Sequence, residues 1–257
     1  MKKRLLIAAL LALIVFEIAY LIAGNTLLRT RTIRDLVADP YQDFSLDYSK
    51  AWTIFPGIVE IRDLVLKIQD PSMRMEIKVQ KVNASINLIE LPFKRFSTSS
   101  VLAESVQYQL WLKEPKTAPT PKADPKKLWT VILNNVRVQD LKDVVVDRYK
   151  LTGNTIITGG FYLFPGIELE LFPVRLQITS GQIHSGTKMV SEKIIGEVDL
   201  SSFRFLLDSY PGLKALEVFK TKAHLRGEAN DLTFLNYYFR KTKALSIDAL
   251  TGTAKFE

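Results

Sequence analysis

The sequence has no cysteine and only two histidines, His184 and His224. Without cysteine there are no disulfides and no thiol chemistry, which suits a disulfide-free envelope compartment but does not establish one. Each histidine stands alone in a strand-like stretch, whereas a metal site needs several ligands at suitable spacing. No P-loop, dinucleotide-binding or G-x-S-x-G motif occurs either. We therefore expect that the protein is not an enzyme and holds neither a metal nor a cofactor.

Concentrated basic charge is also lacking. The formal net charge is +8, but the excess is spread along the chain, with small concentrations in residues 2–4 and 114–127. Nucleic-acid binding would require a dense stripe of arginine and lysine interleaved with aromatic residues, and no such stripe occurs. Diffuse positive charge beside a membrane anchor instead favours anionic lipid head groups as the partner.

One long apolar run is present near the N-terminus. Residues 5–24 contain a single charged residue, Glu17. A helix of this length spans about 30 Å, the thickness of a bilayer's hydrocarbon core, so we predict one membrane-spanning anchor. A cleaved signal peptide is the alternative, but residues 21–24 fit an A-x-A-like cleavage site poorly. The apolar side chains assigned to the anchor are Leu5, Leu6, Leu11, Phe16, Tyr20 and Leu21.

Two properties of this anchor stay open at the level of sequence. An ionised carboxylate in the bilayer costs about 2.5–3.5 kcal/mol on insertion scales. Glu17 therefore either protonates or reaches the interface, which we favour, or it contacts another membrane helix. Basic residues both precede and follow the apolar run, so the positive-inside count is nearly balanced and does not fix the orientation.

After the anchor, the dominant pattern has period 2. Apolar and polar residues alternate through residues 73–80, which is typical of a strand with one apolar face. The alternation resumes in residues 82–88 with the opposite parity, which predicts a bulge or bend at residues 80–81. From the residues alone, the apolar face is either a core against a second layer or the wall of a groove. The apolar residues of the two clearest ladders are Met73, Met75, Ile77, Val79, Val106, Tyr108, Leu110 and Leu112.

Weaker patterns complete an outline of mainly β structure with short helices. They predict a long antiparallel meander with brief helical interruptions. Further alternating segments lie at residues 61–68, 136–138, 167–171 and 174–178. Helical patterns lie at residues 25–39, 88–96, 206–219 and 231–239.

Composition divides the chain after the anchor. Residues 114–127 contain several prolines and no bulky apolar residue, which predicts a solvated loop. The phrases IFPGI at 54–58 and LFPGI at 163–167 each place a Pro-Gly turn before an alternating strand, which favours a repeated unit. We predict an anchor and stalk at 1–39, a first β unit at 40–113, the loop at 114–127 and a second β unit or units at 128–257.

This combination resembles one family. An anchor helix is followed by AWTIFPGIVEIRDL at 51–64, an alternating strand, LIELPFKRF at 88–96 and a further ladder at 101–112. These features are similar to the opening unit of AsmA-like bacterial envelope proteins, the group that includes TamB. That group is related in architecture to chorein-type lipid transfer proteins.

The resemblance implies a fold and a function. The fold would be a transmembrane helix followed by a long curved antiparallel sheet that forms a groove or half-pipe. The chain would cross the bacterial inner membrane once, with its bulk in the periplasm, and its apolar ladders would bind or pass phospholipids in support of membrane biogenesis. About 14 strands at about 4.8 Å spacing would give a groove of at most about 70 Å.

A different class of function also fits the pattern. The last residues, 249–257, look like a strand that stops, so a partner or a further segment could continue the sheet. The protein would then be a structural or assembly protein that pairs through its sheet edge with another envelope protein.

Overall fold

A computed structural model describes residues 2–30, 44–69, 73–112, 129–164, 168–206, 220–235 and 252–256. The chain begins with one α-helix, α1, at Lys2–Arg29. It is long and apolar enough to cross a membrane, as the sequence predicted. The predicted helical continuation is confirmed as far as Arg29, and residues 31–39 lie outside the described part.

The strands that follow all belong to one sheet. Among the described residues, the short 3-10 helices Leu91–Phe93 and Leu232–Leu235 interrupt them. The strands are β1 Phe44–Asp47, β2 Lys50–Phe55, β3 Ile58–Gln69, β4 Met73–Ile86, β5 Arg95–Leu112, β6 Thr130–Val146, β7 Tyr149–Phe164, β8 Glu168–Leu171, β9 Val174–Ser185, β10 Lys188–Leu200, β11 Phe203–Leu206, β12 Thr221–Ala229 and β13 Ala254–Phe256.

The sheet is open and does not close into a barrel. Its main path runs β1-β3-β4-β5-β6-β7-β9-β10-β12-β13, while β2 pairs with β3 and the short β8 and β11 pair beside β7. Strands that are neighbours in the sheet pair antiparallel, as the meander predicted, except that β5 and β6 are parallel. That pairing joins the strands on either side of residues 113–128 into one continuous sheet, and those residues lie outside the described part.

The turns between strands collect at two ends of the sheet. The β2–β3 turn, the β4–β5 connection and the start of β6 lie at one end, which we call the near end. The β6–β7 and β9–β10 turns lie at the opposite, far end. The Pro-Gly phrase at 54–58 forms the β2–β3 turn, and the phrase at 163–167 joins the antiparallel pair β7 and β8.

The helical predictions after the anchor were the weakest. Only Leu91–Phe93 is helical within residues 88–96, as a 3-10 turn, and Arg95 already begins β5. Leu206 ends a strand, and residues 207–219 are outside the described part. In the last predicted helix only Leu232–Leu235 is described as helical. At Arg95, Phe96 and Leu206, pairing with neighbouring strands outweighs the weak helical periodicity.

A crease crosses the sheet at the point where the sequence predicted a bend. Asp63, Ser105 and Asp140 have φ of 51°, 55° and 58°, and they lie in one transverse row on β3, β5 and β6. Gln80 of β4 completes this row between Asp63 and Ser105. The Ser105 hydroxyl donates to Asp140 Oδ2 at 3.0 Å across it. At the crease, the alternation of inward and outward side chains reverses at the same level in each of these strands. The strands therefore stay paired in the same register on both sides of the crease.

The hydrophobic core lies along this crease. Val79 and Val82 are both buried although they are three residues apart, and Ala103 and Val106 show the same relation on β5. In a straight strand residues three apart face opposite sides, so the crease turns both members of each pair onto one side, and on β5 the left-handed Ser105 makes this turn. The core is therefore built within a single folded sheet. Its buried members are Val79, Val82, Ala84, Ala103, Val106 and Leu141.

Candidate functional site

The two apolar ladders predicted from sequence lie directly opposite each other on β4 and β5. Met73 pairs with Leu112, and the next three residues of each ladder pair with each other in the same register. Directly opposed residues share a face of an antiparallel pair, so the eight positions form one apolar strip. The remaining pairs are Met75 with Leu110, Ile77 with Tyr108, and Val79 with Val106.

Burial along this strip changes in one direction. Val79 and Val106, beside the crease, are 6% and 5% exposed. Ile77 and Tyr108, and Met75 and Leu110 beyond them toward the far end, are only partly buried. The strip therefore passes from a packed core at the crease to apolar surface that still has free area. Burial raises the pKa of the Tyr108 phenol, as expected for an aromatic side chain on an apolar surface.

A second apolar row, which sequence reasoning missed, runs across eight strands on the near side of the crease. Each member pairs in register with the next across the sheet, from β3 to β12. The alternation predicted at residues 61–68, 82–88, 136–138 and 174–178 contains four of its members, but periodicity along single strands does not show which residues align across a sheet. The row is Ile61, Val82, Ala103, Val138, Ile157, Leu176, Val198 and Ala223.

The opposite face of the same strands is polar. On β4 the Glu76 carboxylate lies 3.0 Å from Lys78 Nζ and 3.6 Å from Arg74 Nη2. The Arg74 guanidinium in turn stacks over the Trp111 ring at 5.2 Å. The hydrogen bond from Lys78, helped by the charges of Lys67 and Arg74, lowers the pKa of Glu76. This face therefore carries paired charges around Glu76, which is 8% exposed, whereas the opposite face is apolar.

No second layer covers the apolar face within the described part of the chain. All described strands belong to the one sheet. The long helix packs against β2 at the sheet edge, and the 3-10 helices are too short to shield a wide surface. Curvature at the crease covers the centre of the face, and the partly buried residues on either side remain available to a ligand.

No protein-family model and no curated protein matches this chain.

Helix α1 is hydrogen-bonded to the first edge of the sheet. Asn25 donates from Nδ2 to the Thr53 carbonyl at 3.1 Å and accepts from the Thr53 N–H at 3.0 Å. This side chain satisfies the outward-pointing backbone groups of β2 as a neighbouring strand would. Tyr20 Oη accepts the Gly57 N–H at 3.1 Å, and Tyr48 donates to the Leu28 carbonyl at 2.7 Å. The helix and the sheet thus meet through specific hydrogen bonds.

The predicted anchor residues divide between two surroundings. Leu6, Leu11 and Phe16 are 72%, 57% and 63% exposed, as lipid-facing side chains would be in a protein without its bilayer. Tyr20 and Leu21 are partly buried, in the part of the helix that meets β2. Leu5 lies in the first turns of α1.

The polar residues considered for chemistry do not converge. His184 lies on β9 opposite Lys150 and Met189, while His224 lies on β12 opposite Glu197. Among the residues that the structure describes, no group of three or more histidines and carboxylates could hold a metal ion.

Proposed function

We propose that this is a membrane-anchored bacterial envelope protein whose curved sheet binds or passes phospholipids and so supports membrane biogenesis. The chain would cross the inner membrane once through α1 and place its sheet in the periplasm. Binding would be non-covalent, without an enzymatic step or a cofactor. This is the function of the AsmA-like architecture that the sequence resembles.

The observation that carries the proposal is the apolar strip on β4 and β5. It combines cross-strand apolar pairs, partial burial and the lack of a covering layer in the described part of the chain. Acyl chains are flexible and apolar, so a long trough of valine, leucine, isoleucine and methionine can hold them without specific hydrogen bonds. The polar outer face keeps such a trough soluble.

The attachment of the helix supports a path from the membrane. Asn25 and Tyr20 bind β2, so the sheet begins at the anchor and not at the end of a free tether. The second apolar row then continues from β3 to β12 without a polar interruption. A lipid leaving the bilayer beside α1 would therefore meet apolar surface at each successive strand.

Photocrosslinking tests this proposal directly. A photoreactive amino acid replaces Leu110, on the apolar face, in the full chain expressed in cells. We expect a phospholipid adduct by mass spectrometry. Gln109 is the matched control, because it is the preceding residue on β5 and faces the polar side. Phe16 in α1 is the positive control for contact with lipid.

Two results would contradict the proposal. One is the absence of an adduct at Leu110 while Phe16 is labelled. The other is equal labelling at Leu110 and Gln109, which would indicate nonspecific contact with lipid.

A second candidate function is assembly through a sheet edge. Thr221–Ala229 pairs with β10 along its length, but β13 pairs only with Gly227, Glu228 and Ala229. Within the described residues, the first part of β12 therefore has a strand neighbour on one side alone, which fits addition of a strand from another envelope protein. Crosslinking from Lys222 in cells should then yield a defined heteromeric product. A protein that stays monomeric after such crosslinking would count against this candidate.

A further inference from the structure

Exposed apolar side chains outside the anchor helix are concentrated at one place. The described part of the chain has five large, exposed hydrophobic residues outside α1. Isolated exposed apolar residues are ordinary, but a cluster of large ones marks an interaction surface. They are Ile54, Phe55, Ile58, Ile89 and Phe93, with exposures of 59%, 57%, 50%, 80% and 74%.

All five belong to the near end of the sheet. Ile54, Phe55 and Ile58 flank the β2–β3 turn, and Ile89 and Phe93 lie in the β4–β5 connection. The two turns touch through the Ile86 N–H, which donates to the Gly57 carbonyl at 2.7 Å. Gly57 has φ +82°, and a Cβ there would lie 2.5 Å from the Ile86 carbonyl oxygen. We call these five residues and their two turns the apolar tip.

The anchor helix fixes the depth of this tip. The Gly57 N–H donates to Tyr20 Oη, so the β2–β3 turn lies at the level of Tyr20. The segment of α1 that qualifies as a membrane span is Leu10–Arg29. At 1.5 Å per residue, Tyr20 lies about 13 Å before the end of that segment. If the membrane span ends at Gly24, where the apolar run of the sequence ends, Tyr20 still lies about 6 Å before the end of the span.

The direction of β2 brings the tip toward the membrane. Along α1 the contacts run from Tyr20 through Asn25 to Leu28, and along the sheet they run from Gly57 through Thr53 to Tyr48. The helix and β2 are therefore antiparallel, and the β2–β3 turn points back along the helix toward the bilayer.

We infer that the apolar tip is inserted in the outer acyl region of the same bilayer that α1 crosses, so that the near end of the sheet opens into lipid. Isoleucine and phenylalanine gain by leaving water at this depth. Lys94 and Arg95, next to Phe93, lie where cationic side chains meet anionic head groups at an interface. The inference rests on the membrane-anchoring part of the proposed function, and it does not require that the groove binds lipid.

Depth-dependent fluorescence quenching tests the inference on the full chain. The protein has no cysteine, so single cysteines can be introduced without first removing others. An environment-sensitive fluorophore is attached at Phe55→Cys and, separately, at Phe93→Cys. The proteins are reconstituted in phosphatidylcholine and phosphatidylglycerol vesicles that contain lipids with a nitroxide at a shallow or a deep acyl position. Phe16→Cys is the control for the span, and Thr187→Cys, in the exposed β9–β10 turn, is the control for the far end.

We expect the labels at positions 55 and 93 to be quenched, more strongly by the shallow than by the deep nitroxide, and the label at 187 to be unaffected. Quenching at 16 without quenching at 55 and 93 would overturn the inference and leave the anchor in place. No quenching at 16 would overturn the anchor and the inference with it. Equal quenching at 187 would also overturn it, because contact would then not be confined to the tip.

Discussion

At the scale of single residues, Asn25 joins the two parts of the protein. Its amide satisfies both the N–H and the C=O of Thr53, which is 4% exposed. An unpaired buried backbone group is costly, so one polar side chain in the helix protects an edge strand that would otherwise be open. The hydroxyl of the neighbouring Thr26 donates to the Ile22 carbonyl within the helix. The sequence signals neither role, because a polar residue after an apolar run does not reveal its partner.

The Asn25→Leu variant should loosen this junction. The substitution keeps the side-chain volume but leaves the Thr53 backbone groups unpaired, at a cost of about 1–3 kcal/mol. We expect faster hydrogen exchange of the Thr53 amide in the reconstituted chain. Thr26→Val is the matched control and should leave that exchange rate unchanged. Unchanged exchange in Asn25→Leu would show that the amide does not hold the junction.

Glu76 should make stability depend on pH. Its pKa is lowered chiefly by the hydrogen bond from Lys78, so its stabilising contribution is present above the ordinary glutamate pKa of 4.5. That contribution is lost as the pH falls through the lower pKa of the folded state. We expect Glu76→Gln to lower the melting temperature near neutral pH and the difference from wild type to shrink at about pH 3.

The control for that experiment is Glu104→Gln. Glu104 is 39% exposed and lies 3.9 Å from Lys81, and such a surface pair contributes little. Its substitution should change the melting temperature little at either pH. A Glu76→Gln difference that stays constant from neutral to acid pH would contradict the assignment.

At the scale of elements, the crease is the feature that sequence predicted best. The shift in the alternation of apolar and polar residues at 80–81 was recognisable in the sequence, because the alternation is regular in each half of β4. By contrast, β7 was missed because threonines and the pair Gly159–Gly160 obscure its alternation. Gly160 is needed there, since a Cβ would lie 2.4 Å from the Leu133 carbonyl oxygen. The parallel pairing of β5 and β6 was also missed, because periodicity gives a strand's faces but not its neighbours.

Substitutions at the crease should reverse the usual preference for β-branched residues. Asp63 has φ 51°, whereas Gln80, in the same row of β4, is not among the described residues with positive φ. We expect Asp63→Gly to be more stable than Asp63→Val by about 1–2 kcal/mol. At Gln80 valine should be the more stable of the two, because glycine weakens a strand. Urea denaturation of the four variants measures both differences, and the same order at both sites would contradict the crease.

At the scale of the whole molecule, the described part of the sheet is narrower than the sequence suggested. Strands β2, β8 and β11 lie beside the main path, which crosses ten strands. Nine spacings of about 4.8 Å give about 43 Å, instead of the expected limit of about 70 Å. This is close to the full thickness of a bilayer with its head groups, about 40–45 Å. The proposed path therefore begins at an anchored edge and ends near β12 and β13.

Native mass spectrometry of the full chain in mild detergent tests the central claim, that the apolar face holds lipid. The wild type should retain a bound phospholipid after detergent removal. The Met75→Glu/Leu110→Glu variant should lose it, because two carboxylates would lie in the apolar strip. The Gln107→Glu/Thr158→Glu variant places two carboxylates on the polar face, opposite Lys78 and Arg137, and should retain it. A wild type free of lipid, or equal retention by both variants, would contradict the account.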